Sequence, residues 1–273
     1  GGVEHVKEGD RLFVYLGWGC GHCVDCVSGH PNLCADRRDQ GKMDRYQKEY
    51  SVVKESMAYR IPKGMTFDDA LMLTCAGGTA WAALLKAAPT CDDAVVIFGL
   101  GPVGLMGVMW ARAMGAYVIG VERIPERLVL AAKVGAHALV DAGDEDVIVR
   151  VRALTGGEGA SVGLECSGSL QAREALLEVT NRDARVVYVA GGRAGATIDP
   201  SPFGVWGRLA LRTIRGTVTF GLQDWYRMTK AIRLHGLRPG QAVTHRFSID
   251  QASEAYALTD SGASGKVVFD FGE

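Results

Sequence analysis

The chain has 273 residues, room for one large core or two modest ones, and its 48% hydrophobic and 22% charged content is that of an ordinary soluble globular protein. With 30 basic and 31 acidic residues the formal net charge is −1, and no long run of either sign offers a surface for nucleic acid or an anionic membrane. The longest apolar stretches, at residues 94–98, 103–110 and 186–190, stop well short of a membrane span. No secretory leader is legible, although the chain opens Gly1-Gly2. Seven cysteines, clustered rather than spread as pairs, fit a reducing compartment and make the cytoplasm the expected location.

Residues 1–60 read as short strands and loops, with extended runs at 10–16, after a Gly9-Asp10 turn, and at 50–53. From residue 94 the texture changes to alternating strand and helix. A β-branched strand at 94–98 precedes a helix at 103–114 with Gly115 placed to cap it. A strand at 117–121 leads through Pro125, tolerated at a helix start, into a helix at 126–134 closed by Gly135. Strands at 138–140, 162–164, 185–190 and 211–218 alternate with helices at 144–154 and 170–180. A helix from Trp225 leads to Arg238-Pro239-Gly240, and strands at 243–247 and 266–271 flank a helix at 249–259. This alternation predicts an α/β fold, a doubly wound parallel sheet covered on both faces. The expected division is a cofactor domain at 76–220 and a second, split domain at 1–75 and 221–273.

Cys20, Cys23, Cys26 and Cys34 follow the pattern C-x2-C-x2-C-x7-C. Four thiolates close a tetrahedral zinc site and leave no open position, the arrangement of a structural metal. The intervening loop has too few apolar residues to hold its shape by burial, so metal binding would supply its folding free energy. The plainer alternatives are a disulfide pair or four unrelated thiols. His22 and His30 lie inside this lobe and, with the metal satisfied by sulfur, are expected to face solvent.

Gly99-Leu100-Gly101-Pro102-Val103-Gly104 is G-x-G-x-x-G between a strand and a helix. Gly99 permits the tight turn, Gly101 lets backbone approach a pyrophosphate, and Gly104 lets helix and strand pack closely. The helix N-terminus faces the phosphates with unpaired N–H groups. Glu122 ends the next strand 23 residues after Gly99, where a carboxylate accepts hydrogen bonds from a ribose and repels a 2′-phosphate. That favours NAD over NADP, while Arg123 and Arg127 stand close enough to soften the preference. The alternative is a glycine-rich turn in an unrelated α/β protein with a surface glutamate.

Between these signatures lies Leu73-Thr74-Cys75-Ala76-Gly77-Gly78-Thr79-Ala80-Trp81, in which Cys75 taken alone reads as a buried packing residue. With the Gly9-Asp10 turn, the four-cysteine lobe, the fingerprint, Glu165-Cys166-Ser167-Gly168 and the closing Gly265-Lys266-Val267-Val268, the whole chain resembles the zinc-containing medium-chain dehydrogenase/reductase family, close to its alcohol dehydrogenases. The resemblance implies a Rossmann domain beside a mostly-β, GroES-like catalytic domain. It matches Cys75 to a ligand of the catalytic zinc and Thr79 to a residue beside the nicotinamide. Thr74-Cys75, where polyol and threonine dehydrogenases of the family tend to have Glu-Pro, points towards alcohol dehydrogenases.

The family's other two catalytic-zinc ligands lie upstream of the Gly-Asp turn, and here eight residues precede Gly9. His5 falls in an ordinary strand position and reads as a surface residue. The resemblance thus implies a member lacking roughly its first sixty residues, with one of the three protein ligands that a catalytic zinc needs. For an intact member it implies a zinc-bound alkoxide passing hydride to C4 of NAD, with a small alcohol, aldehyde or ketone as substrate. It also implies a homo-oligomer paired through the apolar edge of the strand at 211–218.

Of the remaining residues, Cys166 reads as inert packing and Cys91 as a loop thiol. Arg246 and Lys266 match cationic positions near the pyrophosphate or, as readily, face solvent. Trp81, Trp206 and Trp225 line a pocket, an interface or the core. Asp44-Arg45-Tyr46-Gln47-Lys48 departs from the family's small residues, so that loop is expected to differ. Two further functional readings are kept. One is a zinc-free NADPH-dependent quinone or enone reductase, opposed by the lobe and Glu122. The other is a non-catalytic zinc module joined to an NAD-binding domain, for which no basic stripe suggests nucleic acid.

Overall fold

The computed structural model describes residues 2–16, 19–36, 47–191 and 211–272. Expectations for Asp44, Arg45, Tyr46 and Trp206 fall outside that set. In chain order the strands begin with β1 (Leu12–Val14), followed by the short helix α1 (Val24–Val27) in the cysteine lobe, and β2 (Ala58–Arg60). Then come α2 (Phe67–Met72), α3 (Gly78–Ala87), β3 (Ala94–Phe98), α4 (Pro102–Ala113), β4 (Tyr117–Glu122), α5 (Pro125–Val134) and β5 (Ala138–Asp141). The series continues with α6 (Val147–Leu154), β6 (Ala160–Glu165), α7 (Leu170–Val179), β7 (Thr180–Tyr188), β8 (Thr213–Gly216), α8 (Gln223–His235), β9 (Val243–Phe247), α9 (Ala252–Ser261) and β10 (Lys266–Phe269).

Six strands form one parallel sheet in the order β5-β4-β3-β6-β7-β8. Side chains alternate across each strand. Val95 and Ile97 of β3 join Val118, Val162, Leu164 and Val187 in a core with α3, α4 and α5 on one face. Val96 and Phe98 join Ile119, Val121, Val140 and Val186 on the other, packed by Val151 of α6 and Leu176 of α7. The expected doubly wound α/β sheet is thus the observed one. The ends of the chain add two small ribbons, antiparallel β1–β2 and parallel β9–β10.

Local chemistry sets the boundaries. Asp146 accepts from the Ile148 and Val149 N–H groups, so α6 starts three residues after the predicted Asp144. Pro102 and Pro125 occupy first-turn positions, and Gly135 closes α5 in the left-handed region at φ +111°.

One expected strand is absent. Residues 50–53 form no strand: Tyr50 and Val52 are 86% and 87% exposed, and β1 instead takes Ala58–Arg60 as its partner. Residues 67–87, to which the sequence assigned no element, form a continuous 21-residue helix. Its length and composition would cross a membrane, but most of it is buried inside the protein. Glycines normally weaken a helix interior. Here contact decides: a Cβ on Gly77 would lie 2.8 Å from the Met72 carbonyl, and one on Gly78 2.0 Å from the Phe220 ring. The expected domain boundary at 75/76 falls within this helix.

Candidate cofactor crevice and metal lobe

The chain runs outward from β3 through β4 to β5 and then crosses back to β6, so the sheet reverses direction between β3 and β6. In such sheets a crevice opens at the carboxyl ends of the strands where the order reverses. The Gly99–Gly104 turn follows β3 there. Gly99 adopts φ +83°, and a Cβ on it would sit 2.7 Å from Ser167, just beyond β6. A Cβ on Gly104 would lie 2.0 Å from the Gly99 carbonyl oxygen. Gly101 has an ordinary φ of −68°, and a Cβ on it would meet only Arg127 at 3.7 Å. Gly99 and Gly104 are therefore required by the fold, whereas at Gly101 the backbone is left open to the crevice. Pro102 and Val103 start α4 with its N-terminus facing this space.

Glu122 differs from its expected setting. Its carboxylate is 7% exposed, and three backbone N–H groups donate to it: Leu100 at 2.9 Å, Arg123 at 2.8 Å and Ile124 at 3.3 Å. It therefore ties the glycine turn to the end of β4, leaving limited capacity for a ribose hydroxyl. Arg127 lies 3.7 Å from Glu122 and donates to the Ser264 carbonyl at 3.2 Å, so it is anchored. Arg123 is exposed.

Sequence reasoning passed over Glu165 as a site residue. It is fully buried at the end of β6 and accepts from Ser167 N at 2.7 Å, Ser167 Oγ at 2.6 Å and Gly168 N at 2.8 Å. Arg173 pairs with it at 3.3 Å and donates to the Ala190 carbonyl at 3.0 Å, fixing the ends of β6 and β7 together. The signal was present: a carboxylate ending an apolar strand must be satisfied locally.

Cys75, matched by the resemblance to a catalytic-zinc ligand, is exposed rather than packed into the core as the segment taken alone would suggest. It sits in a π-turn, Leu73–Gly77, between α2 and α3, flanked by buried Leu73, Ala76 and Gly77. An inserted turn of this kind displaces a side chain from the regular helical face. Trp110 of α4, itself fully buried, donates from Nε1 to the Gly77 carbonyl at 3.1 Å and so braces the turn. Thr79 opens α3, half-buried. Among the described residues Cys75 joins no group of three metal-ligating side chains. A catalytic zinc needs three protein ligands, so these residues alone do not fit one.

The lobe does fit a metal. The sulfurs of Cys20, Cys23, Cys26 and Cys34 all lie within 4.8 Å of one another, with Cys20–Cys26 at 3.9 Å and Cys23–Cys34 at 3.7 Å. Tetrahedral zinc with Zn–S bonds of about 2.3 Å sets sulfurs about 3.8 Å apart. A disulfide would need about 2.05 Å. The backbone N–H groups of His22 and Cys23 lower the Cys20 thiol to about 6, whereas burial pushes Cys26 up to about 12.

The secondary candidates are also placed. His5 is exposed, its N–H held by Glu55, and His22 is exposed with Nδ1 3.0 Å from the Cys20 carbonyl. His30 is not a free loop residue: it packs against Gly221 and lies 3.4 Å from the Gln223 amide. Arg246 pairs with Asp68 and, at 3.5 Å, with Asp270. Lys266 is half-buried on β10. Trp225 stacks on Phe13 at 3.6 Å, and Trp81 meets Trp110 edge-on at 4.9 Å, so both belong to the core. Burial raises the Cys166 thiol, whereas Cys91 is exposed.

A parallel sheet with a glycine turn at its crevice, beside a four-sulfur lobe that fits a metal, defines a dinucleotide-binding type of fold. Residues 102–234 match the zinc-binding dehydrogenase family, and residues 1–63 match the alcohol dehydrogenase GroES-like domain. The chain is 36% identical over 278 residues to the zinc-type alcohol dehydrogenase-like protein YphC of Escherichia coli strain K12, covering 99% of this chain and 76% of that protein. It is 32% identical to L-threonine 3-dehydrogenase of Pyrococcus horikoshii, over 98% of this chain and 77% of the enzyme. The alcohol dehydrogenase TADH from Thermus sp. ATN1 superposes with a TM-score of 0.82 at 27% identity, over 96% of this chain and 77% of that one. The chain belongs to the zinc-type alcohol dehydrogenase-like family of medium-chain dehydrogenases.

Proposed function

We propose that this protein is an NAD-dependent dehydrogenase that exchanges a hydride between a small alcohol and its aldehyde or ketone. The observation that carries the reading is the glycine turn at the sheet reversal, closed by Glu122 at the end of β4. In this reading Gly101, Pro102, Val103 and the α4 N-terminus receive the pyrophosphate, with Gly99 and Gly104 shaping the turn. Glu122, with Arg127 held beside it, stands at the adenosine ribose, and its negative charge disfavours a 2′-phosphate. Thr79, one turn beyond Cys75, lies on the nicotinamide side. Cys75 is exposed at the reacting end and would be one of the three ligands that a catalytic zinc takes, the described residues supplying no second or third beside it. The four-cysteine lobe holds the structural zinc, which speaks against the zinc-free reductase. The reading goes with a reducing, cytoplasmic compartment, since four of the seven cysteines are gathered as metal ligands rather than spread as pairs. It also goes with self-association along β8, flanked by exposed Leu211 and Val218.

The test is NADH formation at 340 nm in the presence of zinc, with primary alcohols, secondary alcohols and L-threonine. Turnover abolished by Cys75→Ser and kept in Cys91→Ser supports the reading. Turnover that survives Cys75→Ser, or that proceeds with NADP alone, refutes it.

A further inference from the structure

Away from the crevice, a cleft of about 510 Å³ opens between the segment leading into α2 and the outer face of α8. Four cations line it: Lys63, Lys230, Arg233 and Arg238, all exposed. Among the described residues none of the four meets a carboxylate or a carbonyl acceptor. Other arginines among the described residues do: Arg60, Arg127, Arg150, Arg173, Arg185 and Arg246 all sit on carboxylates. Arg233 lies in the last turn of α8, where the helix dipole alone favours a cation. That accounts for one of the four and not for the others.

The cleft contains one acid, Asp69, and it is already committed. It is 6% exposed, accepts from Thr66 Oγ1 at 2.7 Å and accepts from Gly240 N at 2.8 Å. Its charge is absorbed by that turn, and the rim remains positive in a chain whose net charge is −1. The lining also has apolar surface, including Met65 and Leu237, and the Tyr226 ring is 62% exposed beside it.

We propose that this cleft binds a multiply charged phosphate ester, with its phosphoryl groups on Lys63, Lys230, Arg233 and Arg238 and its organic part on the apolar lining. Guanidinium forks pair two N–H groups with two phosphate oxygens, and one phosphoryl chain carries enough charge to engage several cations at once. A monocarboxylate would leave most of the rim unpaired. No residue of the glycine turn, nor Glu122 or Cys75, lines the cleft, so this site is separate from the dinucleotide site.

The test is calorimetric titration of inorganic tripolyphosphate into the full chain, the Lys230→Glu/Arg233→Glu variant, the Lys63→Glu/Arg238→Glu variant, and Gly101→Ala. The wild type and Gly101→Ala are expected to bind alike, and each charge-reversal pair to bind at least about tenfold more weakly. Affinity should also fall steeply as sodium chloride is raised. All four side chains are exposed, so both pairs should keep the wild-type circular dichroism spectrum. No binding by the wild type, binding untouched by both reversal pairs, or binding lost in Gly101→Ala would each overturn the proposal.

Discussion

Gly101 and Gly104 stand three residues apart in one turn, yet the structure assigns them different costs. A Cβ on Gly104 would lie 2.0 Å from the Gly99 carbonyl oxygen, at least about 1 Å inside the closest separation that real Cβ atoms show. The obstacle is backbone, so Gly104→Ala must push α4 away from the end of β3. Overpacking of this kind costs about 1–3 kcal/mol. For a chain of this size each kcal/mol lowers the melting temperature by about 2–4 °C. At Gly101 a Cβ would meet Arg127 at 3.7 Å, ordinary contact, and the backbone angle suits alanine. Gly101→Ala should melt within about 1 °C of the wild type. The pyrophosphate, however, must approach closest there, so the methyl group should weaken NADH binding by about tenfold or more, about 1.4 kcal/mol. Thermal unfolding paired with NADH fluorescence titration separates the two variants. Equal destabilisation of both, or wild-type NADH affinity in Gly101→Ala, would refute the reasoning.

Other consequences follow from single contacts. Trp110→Phe leaves the Gly77 carbonyl without its side-chain donor and should cost about 1–3 kcal/mol in urea unfolding. The alkylation rate of Cys75, mapped by mass spectrometry, should change while that of Cys91 does not. Cys34→Ser should abolish zinc binding by the lobe, read by elemental analysis after dialysis, whereas Cys75→Ser should leave it intact. Burial raises the pKa of Asp93, but hydrogen bonds from Ser161, Arg185 and Thr90 outweigh it and hold the carboxyl at about 2. Because the folded value lies below the unfolded one, this contribution is present above about pH 4 and is lost as pH falls towards 2. Asp93→Asn should thus cost about 2 kcal/mol at pH 5–7 in urea unfolding, with the difference shrinking below pH 4; a difference independent of pH would refute it.

The parallel sheet was legible because its strands are apolar runs punctuated by helix-starting prolines and helix-ending glycines. Ala94–Phe98, Val243–Phe247 and the start of α4 fall within a residue of expectation. The cysteine lobe was legible because ligand spacing is local. What escaped depends on contacts distant in sequence. Gly77-Gly78 reads as a helix breaker until Met72 and Phe220 are seen to occupy the space a side chain would need. The outward placement of Cys75 requires a π-turn braced by Trp110, and no local pattern announces it. Residues 50–53 have strand-forming side chains but no partner strand, since β1 pairs with Ala58–Arg60. Glu122 was correctly placed at the end of β4, but its burial against the glycine turn emerges only when both loops are brought together.

The most direct test of the proposed function is a side-by-side titration of the purified protein with NADH and NADPH, followed by nucleotide fluorescence. The account predicts that NADH binds tighter by about tenfold or more, because Glu122 places negative charge where the 2′-phosphate would sit. The preference should fall when Glu122 is replaced by Gln. Equal or tighter binding of NADPH, or no binding of either nucleotide, would contradict it.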